Sequence, residues 1–141
     1  MKKANRKNQV KKEYYLVNAK DHILGRLATK IANVLYGKNK KNFMPNLDMG
    51  DYVVIINAKD IKVTGRKIDK KIYNRHTGYP GGLKSETLKE VLEKKPEEVI
   101  RRAVKGMLPK NKLAKEALKR LKIYKDENHK DSKESLKELK F

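Results

Sequence analysis

The stretch from Tyr73 to Ser85 holds the residues best suited to chemistry in this chain, reading Tyr-Asn-Arg-His-Thr-Gly-Tyr-Pro-Gly-Gly-Leu-Lys-Ser. Glycines let backbone N–H groups approach a bulky anion, and consecutive N–H groups in such turns can form an anion-binding concavity. Arg75, His76 and Lys84 add positive charge, and two tyrosines add flat faces. The pattern predicts an anion-binding loop, although a plain surface turn between a strand and a helix would have a similar composition.

Catalysis at this loop would require a partner for His76, and the sequence offers none in a suitable position. Thr77 follows it directly, but neighbouring residues on a strand point to opposite faces, so the two are poorly placed as nucleophile and base. Asp48 and Asp51 flank Gly50, and turn formation explains them better than a magnesium site does. The histidines are far apart, cysteine is absent, and no P-loop, dinucleotide or H-E-x-x-H pattern occurs. We therefore predict no catalytic residue, no metal ligand and no cofactor.

The charge balance favours a polyanionic partner instead. The 141 residues, enough for one domain, include 37 Lys and Arg against 17 Asp and Glu, which gives a formal net charge of +20. A folded chain this basic repels itself unless counterions or a polyanion neutralise it. Nucleic acid is the commonest such partner, and an anionic membrane surface is the second.

The sequence also bears on location. No apolar run approaches the roughly 18 residues of a membrane-spanning helix, and the N-terminal residues lack the apolar core of a secretory signal. The absence of cysteine fits a reducing compartment. We therefore expect a cytoplasmic protein with no membrane partner and no small-molecule substrate.

Four cationic loops share one composition, because each contains or adjoins Gly, Pro or Asn together with an aromatic or apolar residue. Such loops suit an irregular folded RNA, which proteins recognise by shape, phosphates and stacking. A DNA duplex fits less well, since the chain shows no recognition helix. Two alternatives stay open: an RNA-processing enzyme that uses His76 and Asp51, and a non-specific binder of DNA or membranes. The four loops are residues 38–42, 65–71, 75–84 and 105–112.

Hydrophobic periodicity predicts the elements that must position these loops. Tyr14–Val17 is predicted to be a strand, and the helix after it is capped by Asp21 at its start and by Gly37 at its end. The continuous apolar run Tyr52–Ile56 predicts a strand buried on both faces. Further strands are predicted at 61–64, 71–76 and 123–124, and further helices after a cap at Ser85 or Thr87, from Pro96 to Gly106, and around Leu113–Leu121.

This order of elements predicts an α/β fold with three layers, α/β/α, and a small sheet. The first two strands should form a parallel unit through the first helix. The charge distribution divides the chain into a basic N-terminal arm, a globular RNA-binding domain and a charged, flexible C-terminal tail. These three parts are residues 1–13, 14–125 and 126–141.

Six segments together resemble one known family. The match is collinear from about Tyr14 to Tyr124, and several of the strings are long and unusual. On these residues the chain is similar to large-subunit ribosomal protein thirteen in its bacterial form. The segments are Leu24–Ala28, Gly50–Ala58, Val63–Gly65, Arg75–Gly78, Pro80–Gly82 and Ala103–Pro109.

The resemblance implies a mostly parallel four-stranded sheet, a structural role in the large ribosomal subunit, an early part in its assembly and no enzyme activity. The implied partners are large-subunit ribosomal RNA and neighbouring large-subunit proteins, and some family members also repress their own messenger RNA. The basic run after the first helix adds Lys41 to the predicted RNA-binding residues. By position, the resemblance implies RNA contacts at Arg26, Lys38, Lys40, Arg75, His76, Thr77, Gly78, Gly81, Gly82, Lys84, Lys105, Lys110 and Lys112.

Overall fold

The computed structural model of the protein describes residues 12–130 and 136–139. The predicted arm, residues 1–13, therefore lies almost entirely outside the described residues, and so does part of the predicted tail. The strands are β1 (Tyr14–Asn18), β2 (Tyr52–Ile56), β3 (Ile72–His76), β4 (Leu83–Thr87), β5 (Leu121–Ile123) and β6 (Lys137–Glu138). The helices are α1 (Leu24–Tyr36), α2 (Lys67–Lys70), α3 (Leu88–Lys94), α4 (Pro96–Met107) and α5 (Lys112–Lys119), with a 3-10 turn at Ala58–Asp60.

Four of the strands form one sheet in the order β5-β2-β1-β6, and each neighbouring pair is parallel. The register sets Tyr14 beside Tyr52, and the two rings stack with their centroids 4.4 Å apart. The predicted α/β fold with a small, parallel four-stranded sheet is confirmed. The strands before and after α1 are also parallel neighbours, as predicted.

The two faces of this sheet have different coverings. On one face, strand residues join a hydrophobic cluster with the buried sides of α1, α3, α4 and α5. On the other face, Leu16 and Ile56 line a pocket together with Leu139 from the C-terminal segment. Val54 and Ile56 are nonetheless buried, so β2 is enclosed on both faces, as its continuous apolar run predicts. The cluster's strand residues are Val17, Val53, Ile55, Leu121 and Ile123, and the partly buried Tyr15 packs against them.

Helix α1 has the predicted apolar face and the predicted C-terminal glycine, but its start differs. Gly37 has a φ of 84°, the left-handed conformation that ends helices. The N-cap residue is Ile23, so the prediction that Asp21 caps this helix is wrong. The backbone of Leu24 is tied to Lys62 by a 2.9 Å N–H···O bond, and Asp21 forms an ion pair with Lys62. This link to a later segment, which sequence periodicity does not reveal, fixes where the helix begins.

Strands β3 and β4 form a separate antiparallel hairpin. The predicted strand at 71–76 is confirmed as β3, whereas β4 was expected to be loop. Its residues are mostly exposed, so they lack the apolar alternation that marks a half-buried strand. The predicted strand at 61–64 is wrong, since that segment contributes a single bridge between Lys62 and Ile23. The basic loop predicted at 65–71 contains the short helix α2.

The C-terminal half follows the predicted sequence signals closely. Thr87, one of the two predicted caps, forms a capping box with Glu90 at the start of α3, and Pro96 is the first residue of α4, as predicted. The side chain of Asn111 accepts a 2.8 Å hydrogen bond from the Ala114 N–H and caps α5. Strand β5 spans Leu121–Ile123 rather than the predicted 123–124, and β6, which lies within the predicted tail, pairs with β1. The boundaries of arm, domain and tail stay a prediction.

Candidate nucleic-acid interface

The predicted anion-binding loop is the connection of the β3–β4 hairpin, and its backbone is largely bonded to itself. The Thr77 N–H donates to the Gly82 carbonyl at 3.0 Å, and the Gly82 N–H donates to the Tyr79 carbonyl at 2.9 Å. The Gly78 N–H donates to Nδ1 of His76 at 2.9 Å. These N–H groups already have acceptors, so the charged side chains around the loop are better placed than its backbone to hold an anion.

The glycines of this loop are required by its shape. Gly78 and Gly81 have φ values of 90° and 70°, which other residues adopt only with strain. Gly82 has no room for a side chain, because an added Cβ would lie 2.8 Å from the Tyr79 carbonyl oxygen and closer still to Oγ1 of Thr77. Glycine therefore sets the geometry that carries the flanking cations.

The hairpin register brings two of those cations face to face. Arg75 lies directly opposite Lys84, and the next pair along the same face is Tyr73 opposite Glu86. These four side chains help to line a cleft of 280 Å³ between the hairpin and the α3–α4 region. The far side of the cleft is lined by Val91, Lys94, Lys95, Glu98 and Arg102.

The wall of the cleft is organised around Tyr73. The Arg102 guanidinium lies 5.0 Å from the centre of its ring, and the Lys71 ammonium lies 5.3 Å from it. Burial raises the pKa of Tyr73, and the positive charge of Arg102 opposes that rise in part. Nε of Arg102 also donates to Glu98 at 3.0 Å. The aromatic ring and Glu98 together hold one cation at the edge of the cleft.

Arg102 is shared with a second surface feature, a groove of 470 Å³ between α4 and α5. Lys105 and Lys110, both predicted RNA-binding residues, line this groove. The hairpin cations and the α4–α5 loop cations therefore border one continuous surface that passes through Arg102. Sequence periodicity indicated only that Arg102 faces outward, and gave no reason to single it out.

A third basic feature adjoins the end of α4. Arg26 and Lys30 line an open pocket of 490 Å³ at the start of α1. Thr29 lines the same pocket, and its Oγ1 lies 3.3 Å from Sδ of Met107. Met107 immediately precedes a residue of the α4–α5 groove, so Arg26 lies near the surface that carries Lys105.

The predicted residues at 38–41 lie elsewhere, beyond the C-terminal end of α1. Lys38 and Lys41 are exposed, and the Lys38 ammonium lies 5.9 Å from the ring centre of Tyr36. Lys40 instead bonds the fully buried carboxylate of Asp51, with 2.6 Å between Nζ and Oδ1. Arg26 lies in the first turn of α1, whereas this group follows the last residue of that helix, so roughly 15 Å of helix separates them. The structure thus places the residues at 38–41 apart from Arg26.

Several basic residues of this surface were missed from the sequence. Lys94 and Lys95 flank the start of α4, and Lys115 lies on α5. Each sits in or beside a helix, where exposed lysine is common and carries no signal of its own. Only the packing of the hairpin beside the helices brings Lys94 and Lys95 next to Arg75 and Lys84, whereas Lys115 lines the α4–α5 groove.

The residues weighed for catalysis are not assembled for it. Nδ1 of His76 accepts the Gly78 N–H, and Asp51 is buried against Lys40. Among the described residues, no group of His, Cys, Asp and Glu could hold a metal ion. Within the same residues, no helix is long and apolar enough to cross a membrane.

Comparison with known proteins assigns the family. The sequence model of the family described as Ribosomal protein L13 matches residues 12–130. The large ribosomal subunit protein uL13 of Geobacter sp. (strain M21) is 52% identical over 134 residues, covering 95% of this chain and 94% of that protein. The uL13 protein of Thermosipho africanus is 54% identical over 136 residues, covering 96% and 91% respectively. This chain therefore belongs to the ribosomal protein L13 family.

Proposed function

We propose that this protein is a structural constituent of the large ribosomal subunit, where it binds the subunit's RNA and contacts neighbouring subunit proteins. Family membership supports this role, because the relatives at 52% and 54% identity are named as large-subunit proteins and match most of the chain. Supporting early subunit assembly belongs to the same proposal. So does binding of its own messenger RNA, which would present the same phosphate chemistry.

The observation that carries the RNA-binding part is the opposition of Arg75 and Lys84. Like charges directly opposite each other on neighbouring strands destabilise a sheet. Both residues are exposed, and both line the cleft that Lys94 and Lys95 also border. An RNA phosphate placed between them would turn this repulsion into attraction.

Two helix starts support the same conclusion. Lys112 is the first residue of α5, and Arg26 lies in the first turn of α1. Neither helix has an acidic residue in its first turn. A cation there opposes the helix dipole at a cost of about 0.3–1 kcal/mol, whereas a bound phosphate would be favoured by both the dipole and the side chain.

The proposed RNA-binding residues are those predicted from the sequence, with the cleft residues added. Lysine and arginine neutralise phosphates and release counterions, while the helices and sheets hold the loops at fixed separation. The predicted set is Arg26, Lys38, Lys40, Lys41, Arg75, His76, Thr77, Gly78, Gly81, Gly82, Lys84, Lys105, Lys110 and Lys112; the added residues are Lys94, Lys95 and Arg102.

Salt dependence tests this mechanism. With roughly six to ten phosphates contacted, affinity for a large-subunit ribosomal RNA transcript should fall about 10³–10⁵-fold between 50 and 200 mM salt. A flat salt response would exclude phosphate neutralisation as the main source of affinity. Competition with bulk duplex DNA separates specific RNA binding from general polyanion binding. If the protein binds any polyanion, duplex DNA and unlabelled ribosomal RNA should displace the labelled transcript equally well.

Sedimentation of native lysate tests the cellular role. The protein should co-migrate with large subunits and stay bound through a moderate salt wash. Incubation with labelled ribosomal RNA, magnesium and a methyl donor addresses the enzymatic alternative. Turnover that His76→Ala abolishes would favour an enzyme over a structural protein.

A further inference from the structure

The groove between α4 and α5 is lined in part by the basic loop at 105–112, yet its floor is apolar. The floor consists of Leu108, Pro109, Ala114 and Leu118, and two of these, Leu108 and Ala114, are buried. Its volume of 470 Å³ lies within the about 300–1,000 Å³ typical of pockets for small ligands. A phosphate gains nothing from such a floor, so simple charge neutralisation does not account for the groove.

All the charged residues that line the groove are basic. Arg102, Lys105, Lys110 and Lys115 surround the apolar floor, and none of the lining residues is acidic. A complementary ligand combines a compact apolar body with negative charge on both sides of it. An unpaired nucleotide has this character, since its base has apolar faces and phosphates flank it along the chain.

We propose that the groove binds the base of one unpaired nucleotide of the RNA, with the flanking phosphates on Lys105 and Lys110. This inference rests on the proposed RNA-binding function and names one element that the RNA must present. Proteins recognise RNA loops and bulges by taking up splayed bases, which they stack on aromatic rings or on arginine guanidinium planes. Arg102 supplies such a plane at the groove's edge.

An acidic amphipathic peptide is the other ligand that the groove's chemistry would accept. The position of the groove favours RNA, because Arg102 also lines the cleft that contains Arg75 and Lys84. A strand whose phosphates lie in that cleft reaches the groove directly. One nucleic-acid strand therefore accounts for both features, whereas a peptide would account for the groove alone.

Gly106→Leu tests the proposal because it fills the groove without disturbing the protein. Gly106 lines the groove within α4, and an added Cβ would meet no atom within 4 Å. Leucine also favours helix more than glycine does, so the variant should fold at least as well. Asn33→Leu is the matched control, since it adds the same side chain at an exposed position of α1 outside the groove. Leu118→Gln is a second variant, which makes the floor polar without filling it.

The measurement uses the full chain and a large-subunit ribosomal RNA transcript, with ultraviolet cross-linking and chemical probing of unpaired bases. The wild-type protein should cross-link one base to the peptide spanning residues 106–118 and protect that base. Gly106→Leu and Leu118→Gln should lose both signals and roughly tenfold in affinity. The salt slope should stay unchanged because no phosphate contact is removed. Asn33→Leu should behave as wild type.

The outcomes separate this inference from the proposed function. If Gly106→Leu binds the transcript with wild-type affinity and protects the same bases, the groove does not hold a base, and RNA binding itself still stands. That result is also the one expected for a peptide-binding groove. If the wild-type protein fails to bind the transcript, the proposed function and this inference both fall.

Discussion

Two basic regions of the molecule look alike in sequence and differ in structure. In the α1–β2 connection, cations meet carboxylates. Lys40 pairs with Asp51 at 2.6 Å, and Arg120 pairs with Asp48 at 2.7 Å. In the β3–β4 hairpin, a cation meets a cation, because Arg75 faces Lys84 across the strands. The first arrangement stabilises the fold, whereas the second costs stability until an anion arrives.

Helix dipoles reinforce the same contrast. Lys38 and Lys40 follow the C-terminal end of α1, where positive charge is favoured. Lys112 and Arg26 lie in the first turns of α5 and α1, where it is disfavoured. Within the set proposed for RNA, positive charge is therefore held against a local energetic cost at the hairpin and at the two helix starts, whereas at Lys38 and Lys40 the local structure favours it.

The largest expected effect is on stability in the first region. Asp51→Ala removes a carboxylate that is fully buried and bonded by both Lys40 and the Glu13 N–H. The side chain of Lys40 is partly exposed, so its charge can be hydrated once Asp51 is gone, and we expect a loss of about 1–3 kcal/mol in the free energy of unfolding by urea. Lys38→Ala is the control in the same loop, and it should change stability by less than about 0.5 kcal/mol.

A double variant sharpens this test. Asp51→Ala combined with Lys40→Met removes both charges, so it should recover much of the stability that the single variant loses. Equal losses in the single and double variants would mean that Asp51 acts through its other hydrogen bond rather than through Lys40. The contrast between the two regions would then lose its electrostatic basis.

The second expected effect is on RNA affinity in the hairpin. Arg75→Ala with Lys84→Ala should weaken binding to a large-subunit ribosomal RNA transcript by roughly tenfold or more. The slope of log affinity against log salt should fall by about 2, one for each lost phosphate contact. Stability should hold or rise slightly, because the variant also removes a repulsive cross-strand pair.

The control for this variant removes the same net charge elsewhere. Lys59 pairs with Asp126 and Lys119 pairs with Glu116, both at exposed positions. Lys59→Ala with Lys119→Ala should therefore leave the salt slope nearly unchanged. Equal slopes for the two double variants would show that overall charge, rather than the hairpin, sets RNA affinity. Unfolding of the Arg75 and Lys84 variant would instead give the hairpin a structural role.

The sequence predicted the scaffold better than the surface. Continuous apolar residues identified β2, and helical periodicity with Gly37 identified α1 and its end. Residues of β4 gave no signal, because a strand exposed on both faces lacks apolar alternation. The RNA contact predicted for Lys40 came from its position in the family resemblance, and its bond to Asp51 depends on a contact between separate segments, which neither residue type nor position reveals.

The same limit applies to the binding surface. The cationic loops were visible as compositions, and the family resemblance selected individual positions within them. Neither indicated that the loops at 75–84 and 105–112 adjoin through Arg102. That adjacency depends on how the hairpin packs against α3 and α4, which local sequence does not encode.

A smaller effect is expected at the hairpin connection. Gly82→Ala forces a Cβ against the Tyr79 carbonyl and Oγ1 of Thr77, so the connection must shift. Overpacking of this kind costs about 1–3 kcal/mol in a core, and less here because the segment is exposed. We expect a few-fold loss of RNA affinity with little change in the urea midpoint. Gly25→Ala is the control, since an added Cβ there meets no atom within 4 Å; equal affinities for the two variants would mean that loop geometry is unimportant.

The smallest expected effect is an acid dependence of stability at the α1–β2 connection. Partial burial pushes the pKa of Asp48 upward, but hydrogen bonds from Lys12 and Arg120 outweigh it, and the net pKa is lowered. Because the pKa of Asp48 is lower in the folded than in the unfolded protein, its ion pairs stabilise the fold at pH values above the unfolded-state pKa of about 3.9. This stabilisation is lost as the pH falls through the folded-state pKa. Urea unfolding of the wild type between pH 6 and pH 3 should therefore show falling stability, and Asp48→Asn should flatten part of that fall. An identical pH profile in Asp48→Asn would mean that the ion pairs of Asp48 contribute nothing to the fold, so any electrostatic stabilisation of the first region would rest on Asp51 and Lys40.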